Sequence, residues 1–272
     1  SLKLSQTAAD VARTRDVRYV IFCGVHFMAE TADMLTPEHV DVILPDLSAG
    51  CSMADMAAYE DALEAWDSIH ETLRAQGWRG RVIPITYVNS TAAIKAFVGA
   101  NGGACCTSSN ADKVFAWAMA GGDGAGGTGL QTGQTSDDIK ILFLPDQHLG
   151  RNTAAKYGLD VATQTCVYDP KRTRRGDALG GATPEQLLSS KVVLWAGHCS
   201  VHKLFRPEHC DQVRVADAQA RAAWESSGRQ GPEPVPTTIL VHPECVKEVV
   251  DKADLNGSTE FIIKTLAAAA PG

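Results

Sequence analysis

The residues able to do chemistry stand at regular places along this chain. They are Asp46, Tyr87 with Asn89, Ser108 with Ser109, Asp146 with His148, Cys199 with His202, and His242 with Glu244. Imidazoles and carboxylates transfer protons or bind divalent cations. Phenol, carboxamide and hydroxyl groups hold a carboxylate or carbonyl oxygen. Thiolates bind soft metals. On residue types alone, Asp146, His148, His202, His242 and Glu244 would serve a mononuclear metal-dependent hydrolase, or the same strand-end groups would serve a non-catalytic anion-binding remnant. Taken singly, a residue such as Asp46 reads as a turn or helix cap.

Cysteine use adds a further constraint. Eight cysteines are dispersed through the chain, with no C-x-x-C pair and no secretory signal. That excludes a zinc ribbon or a thioredoxin-like site and points to a reducing compartment. Most buried cysteines are small hydrophobes, yet cysteines distant in sequence also converge as iron–sulfur ligands. Cys51 lies far from any other cysteine, just after an apolar run and a glycine.

The elements that must position these groups repeat a pattern. "VRYVIFCG", "VDVIL", "GRVIPITY", "GACC", "KILFL", "KVVLW" and "TTILV" are short apolar runs, each followed by polar residues and most by a helical pattern. Such runs predict parallel strands buried on both faces and joined by right-handed crossovers. Ligands of open parallel sheets bind beyond the carboxyl ends of the strands, where the reactive residues fall. Residues 1–13 predict an amphipathic helix with Ser1 as its cap, and Ser90 or Thr91 caps the helix after "TYVNS". Segments 121–138 (glycine-rich), 168–186 (with Lys171, Arg172, Arg174 and Arg175) and 226–237 (proline-rich) read as inserted loops.

Composition agrees with a globular α/β chain. It has 272 residues, 44% of them hydrophobic, and a net charge of −7. No basic run suits nucleic acid and no apolar run suits a membrane span, so the expected location is cytoplasmic.

Eight motifs then occur in one order: "FCGVHFMAETA", "LPDLSAGCSMAD", "TYVNS", "CCTSSNA", "LPDQHLGRN", "WAGHCSVH", "VHPEC" and "NGSTEFII". From Ser1 to about Lys264 the chain resembles the quinolinate synthase family. The resemblance implies three similar parallel-sheet αβα domains around a pseudo-threefold axis, here 1–80, 81–198 and 199–272, the first and third incomplete. It implies condensation of iminoaspartate with dihydroxyacetone phosphate to quinolinate in de novo NAD synthesis, with L-aspartate oxidase as supplier of iminoaspartate. It also implies a [4Fe–4S] cluster held by one cysteine from each domain, with Cys51 and Cys199 as two ligands. Three thiolates leave one iron open as a Lewis acid.

Residue by residue, the resemblance makes Glu244, His202 and Tyr87 catalytic. It makes Ser1, Tyr87, Asn89, Ser108, His242, Glu244, Ser258 and Thr259 substrate-binding. Cys105, Cys106 and Cys245 match no ligand position and are expected to be structural. The family carries a His-x-Tyr strand before the position of Ser1 and its third cysteine, in a C-x-x-M-type motif, beyond the position of Gly272. The chain is therefore expected to be cut at both ends and, by itself, to hold no stable cluster and to have no synthase activity.

Overall fold

A computed structural model describes residues 2–122, 135 and 138–269. Ser1 and nearly all of segment 121–138 lie outside the described residues. The chain divides into two compact units, Ser1–His198 and Cys199–Gly272. Every strand pair among the described residues is parallel, so the α/β architecture with parallel sheets is as expected.

The larger unit is built on strands β1 (Tyr19–Ile21), β2 (Asp41–Ile43), β3 (Arg81–Tyr87), β4 (Ala104–Cys106), β5 (Ile139–Leu144), β6 (Thr165–Tyr168) and β7 (Val192–Trp195). Its helices are α1 (Leu2–Thr14), α2 (His26–Leu35), α3 (Tyr59–Ala75), α4 (Ala92–Ala100), α5 (Ala111–Met119), α6 (Gln147–Tyr157), α7 (Pro170–Thr173) and α8 (Pro184–Ser189). Five strands form one sheet in the order β4-β3-β5-β7-β6. β3, β5 and β7 are apolar at nearly every position because helices cover both faces. Val82, Leu142, Leu144, Val193 and Trp195 pack with Ile69, Leu73, Ile94, Phe97 and Leu187 of α3, α4 and α8. The opposite face meets α5 and α6. There α6 comes so close that a Cβ on Gly150 would lie 2.7 Å from Leu194 and 2.8 Å from Phe143.

The small sheet β1-β2 departs from the expected burial on both faces. Phe22, Ala29 and Ala32 make a core with Val42 and Ala8 on one side, whereas Tyr19, Ile21 and Ile43 are 55%, 68% and 44% exposed. The alternating exposure follows from a strand covered on a single face. Segment 168–186 is also more ordered than an inserted loop. It begins in the strand β6, contains α7, and ties down two of its arginines through Arg172–Asp177 at 2.7 Å and an Arg174–Asp61 pair.

The smaller unit contains α9 (Pro207–Ser226), β8 (Leu240–Val241), α10 (Lys247–Lys252), β9 (Leu255–Asn256) and α11 (Thr259–Ala268). Cys210, Cys245 and Val249 form its core with Ile239, Val241, Val246 and Val250. Asp217 accepts from Thr237 N and Oγ1 at 2.9 and 2.7 Å, and Asp254 accepts from Ile239 N at 2.7 Å. These bonds fix the chain where the proline-rich segment enters β8. No helix among the described residues is long and apolar enough to cross a membrane.

Candidate functional site

In the larger unit the parallel sheet delivers Tyr87, Asn89, Ser108, Asp146 and Gly197 to one edge, since β3, β4, β5 and β7 all end there. Tyr87 closes β3 and is 5% exposed. After it the backbone is locked. Ser90 Oγ donates to Tyr87 O at 2.8 Å and Val88 N donates to Cys106 O at 2.8 Å. Thr91, not Ser90, caps α4, its hydroxyl accepting from Ile94 N.

Two residues that the sequence reading did not single out hold this turn from behind. Glu30 Oε2 accepts from Ala92 N at 2.8 Å. Lys95 Nζ donates to Ser90 O and lies 5.6 Å from the centre of the Phe27 ring. Burial lowers the Lys95 pKa, while the Cys105 and Glu30 charges act the other way. The available signal was the spacing of Phe27 and Glu30, three apart on one face of α2.

Ser108 sits in a turn closed by Asn110, whose carboxamide oxygen accepts from Thr107 N at 2.6 Å rather than from a helix-start amide. Asp146 is fully buried and caps α6, its Oδ1 accepting from His148 N at 2.7 Å and Leu149 N at 2.8 Å. Gly197 bridges to Asp146, and a Cβ there would meet Pro145 O at 2.2 Å. Asp46 makes a turn, accepting from Ser48 N and Oγ at 2.8 and 2.6 Å. Those bonds hold its carboxyl below the usual carboxylate range. Cys51 follows this turn, partly exposed, with its carbonyl accepting from Asp55 N at 3.0 Å.

The smaller unit gathers its groups more tightly. β8 and β9 are parallel neighbours, so His242 and Glu244 leave the same edge as Ser258 and Thr259. Cys199, His202 and Glu244 each offer a donor atom within 4.8 Å of the other two. His202 Nδ1 stands 3.2 Å from Glu244 Oε2, and His242 Nδ1 stands 3.5 Å from Glu244 Oε1. The two imidazoles stack with centres 4.7 Å apart and planes 18° apart.

Glu244 is 3% exposed and His242 8%. Burial pushes the His242 pKa down, the Glu244 charge raises it, and His202 lowers it further. In the neutral ring with Nδ1 unprotonated, that nitrogen also accepts from Glu244 N at 3.3 Å. The Ser258 hydroxyl accepts from Phe261 N at 3.3 Å and caps α11, a bond that leaves its O–H able to donate. Thr259 is the exposed first residue of that helix.

The thiols sort by environment. Cys106, Cys166, Cys210 and Cys245 are buried. Burial raises the pKa of Cys106 and Cys166, and that of Cys245 to about 11. A thiolate is disfavoured at those three positions. Cys51 and Cys199 keep partial access, as cluster ligands require before assembly. Each of these two thiols, taken within its own unit, is open enough to serve as a soft-metal ligand. Among the described residues the one convergent set of metal donors is Cys199, His202 and Glu244, without the Asp146 and His148 of the hydrolase alternative.

A family model described as "Quinolinate synthetase A protein" matches residues 1–271. The chain belongs to that family. It is 51% identical to a quinolinate synthase of Nocardioides sp. and 45% to one of Bacillus velezensis, in both cases over 100% of the chain. A third quinolinate synthase, from Streptomyces coelicolor, is 44% identical over 97% of it. The chain covers 59%, 61% and 57% of those relatives, about three fifths of their length. The eight ordered motifs had pointed to this family, and the match favours the synthase over the hydrolase reading.

Proposed function

We propose that this chain carries a large part of the active site of a cytoplasmic quinolinate synthase. In that reaction iminoaspartate and dihydroxyacetone phosphate condense, phosphate and two waters leave, and quinolinate enters NAD synthesis, with L-aspartate oxidase supplying the imine. The single observation that carries the reading is the Cys199–His202–Glu244 convergence, backed by the His242 ring, in a member of the family.

Cys51 and Cys199 would hold two corners of a [4Fe–4S] cluster, the third thiolate coming from the family's length that this chain does not span. Bound so, the cluster supplies a Lewis-acidic iron to a substrate oxygen. The protein's own groups do the rest. Glu244, dehydrated between two imidazoles, takes the proton from carbon in enolisation and returns protons to leaving water. His202, its Nδ1 3.2 Å from Glu244 Oε2, takes up that proton once a small ring rotation aligns the two groups. The neutral His242 ring orients a substrate carboxylate. Tyr87, Asn89 and Ser108 hold the remaining carboxylate or phosphate oxygens, and Thr259 adds a hydroxyl. The three-domain arrangement with a pseudo-threefold axis belongs to the same proposal.

The test uses a longer protein that spans the family's length around this sequence. Anaerobic reconstitution should yield a brown chromophore, about four irons per chain and quinolinate from the two substrates. A chromophore-free protein that still makes quinolinate would overturn the cluster's part, and a loaded protein without product would overturn the activity.

A further inference from the structure

We infer that Cys199, His202 and Glu244 form a mononuclear site for a borderline divalent cation of the zinc or ferrous class, and that its occupation excludes cluster assembly. The exclusion rests on the proposed ligand role of Cys199; the cation site does not.

The donor set is the first argument. One thiolate, one imidazole and one carboxylate are what such cations prefer, and three protein ligands leave one position open to solvent. The thiolate and the carboxylate together cancel the charge of a dication. Geometry is the second argument. Metal bonds of about 2.0–2.3 Å in a tetrahedron set donors roughly 3.3–3.8 Å apart. The three donor atoms already lie within 4.8 Å of one another, so side-chain rotation of about an ångström closes the set.

The third argument is His202 Nδ1. It is buried and makes no hydrogen bond among the described residues, although Glu244 Oε2 is 3.2 Å away. Nitrogen and oxygen held that near, off the hydrogen-bond line, suit a cation lying between them. The stacked His242 ring fixes the plane of His202, and the backbone bond from Lys203 N to Cys199 O at 3.2 Å fixes the spacing of thiol and imidazole. All three donors belong to the unit Cys199–Gly272, so nothing outside it is needed to bind the ion.

Cobalt(II) is the probe, added anaerobically to the reduced, chelator-stripped 272-residue chain. The expected result is one equivalent bound, with a sulfur-to-cobalt charge-transfer band in the near ultraviolet and tetrahedral d–d bands in the visible. Cys199→Ser should abolish the charge-transfer band, and Glu244→Gln should weaken binding about tenfold or more. Cys51→Ser should change neither. A band that survives Cys199→Ser, or one that disappears with Cys51→Ser, would overturn the site. In the longer protein, cobalt loading should block reconstitution, and a loaded cluster should prevent cobalt uptake. Simultaneous binding of both would overturn the exclusion. Cobalt binding in a protein that never takes a cluster would leave this site standing and remove the cluster reading instead.

Discussion

The two units use their strand-end polar groups in opposite ways. At the edge of the five-stranded sheet, Asp146, Thr91, Ser90 and Asn110 bond to backbone. They stop helices and shape turns, and so aim Tyr87, Asn89 and Ser108. At the edge of β8 and β9, His202, His242 and Glu244 face one another instead. Asp146 and Glu244 are both buried carboxylates, but two backbone amides offset the burial of Asp146 whereas Glu244 faces imidazoles. The larger sheet is thus a mount for its own turns, and the smaller unit concentrates the reactive groups in turns, His242 and Glu244 just after a strand of two residues and His202 in the turn His202–Leu204.

The largest expected effect tests the reactive side. Glu244→Gln in the longer protein should lower kcat by about 10²–10⁴-fold, the usual worth of a positioned proton-transfer group, with little change in thermal midpoint. Steady-state quinolinate formation measures it, and a rate within a factor of a few of the parent would return Glu244 to a purely structural part.

On the mount side, Glu30→Gln removes a charged acceptor from Ala92 N and the countercharge near Lys95. A loss of about 1.5–3 kcal/mol in unfolding free energy is expected, with KM raised more than kcat is lowered because the Tyr87–Asn89 turn loosens. Urea titration and initial rates together check this. Unchanged KM would detach the turn from substrate binding.

Ser258→Ala separates a cap from a substrate donor. A capping role predicts a loss of about 1 kcal/mol with KM unaltered, seen as faster amide exchange through α11. A raised KM at unaltered stability would restore the substrate contact that the resemblance implied.

The smallest effect is a pH slope. Lys140 Nζ is buried in β5 and donates to Leu188 O at 2.7 Å and to Ser190 O at 2.5 Å. Burial first, then Lys191, lowers its pKa to about 8, Cys166 opposing. Between about 8 and the ordinary 10.5 the unfolded chain carries a proton that the folded chain has lost. Stability therefore rises with pH in that window. Lys140→Met should lack this rise in thermal melts compared at pH 7.5 and about 10, and parallel curves for the two proteins would refute it.

Much of this was legible in the sequence because parallel strands buried on both faces announce themselves as apolar runs. β3, β5 and β7 did so, and their polar ends marked Tyr87, Asn89 and Asp146. β6 was not legible: Thr165 and Val167 alternate with buried Cys166 and Tyr168 at the sheet's edge, too weak a pattern beside the charged run that follows. The exposed faces of β1 and β2 were missed for the converse reason, since Tyr19, Ile21 and Ile43 are as apolar as core residues. Residue type singled out His202, His242 and Glu244, which the fold brings together, but not that Ser258 caps a helix. Nor did it separate Asp146, occupied by two amides, from Glu244, which meets two imidazoles. Glu30 and Lys95 stayed hidden because their action on the Tyr87 turn runs through space, from α2 and α4.

The sorting of thiols gives the molecule a built-in chemical ruler. Cys23, Cys51, Cys105 and Cys199 have solvent access, whereas Cys106, Cys166, Cys210 and Cys245 are enclosed. A brief alkylation pulse followed by intact-mass measurement would then add three labels quickly to the folded chain, a fourth more slowly at Cys105, whose pKa burial raises, and eight once it unfolds. Intermediate masses would report which unit opens first, since Cys106 and Cys166 mark the five-stranded sheet and Cys210 and Cys245 mark the core of the smaller unit.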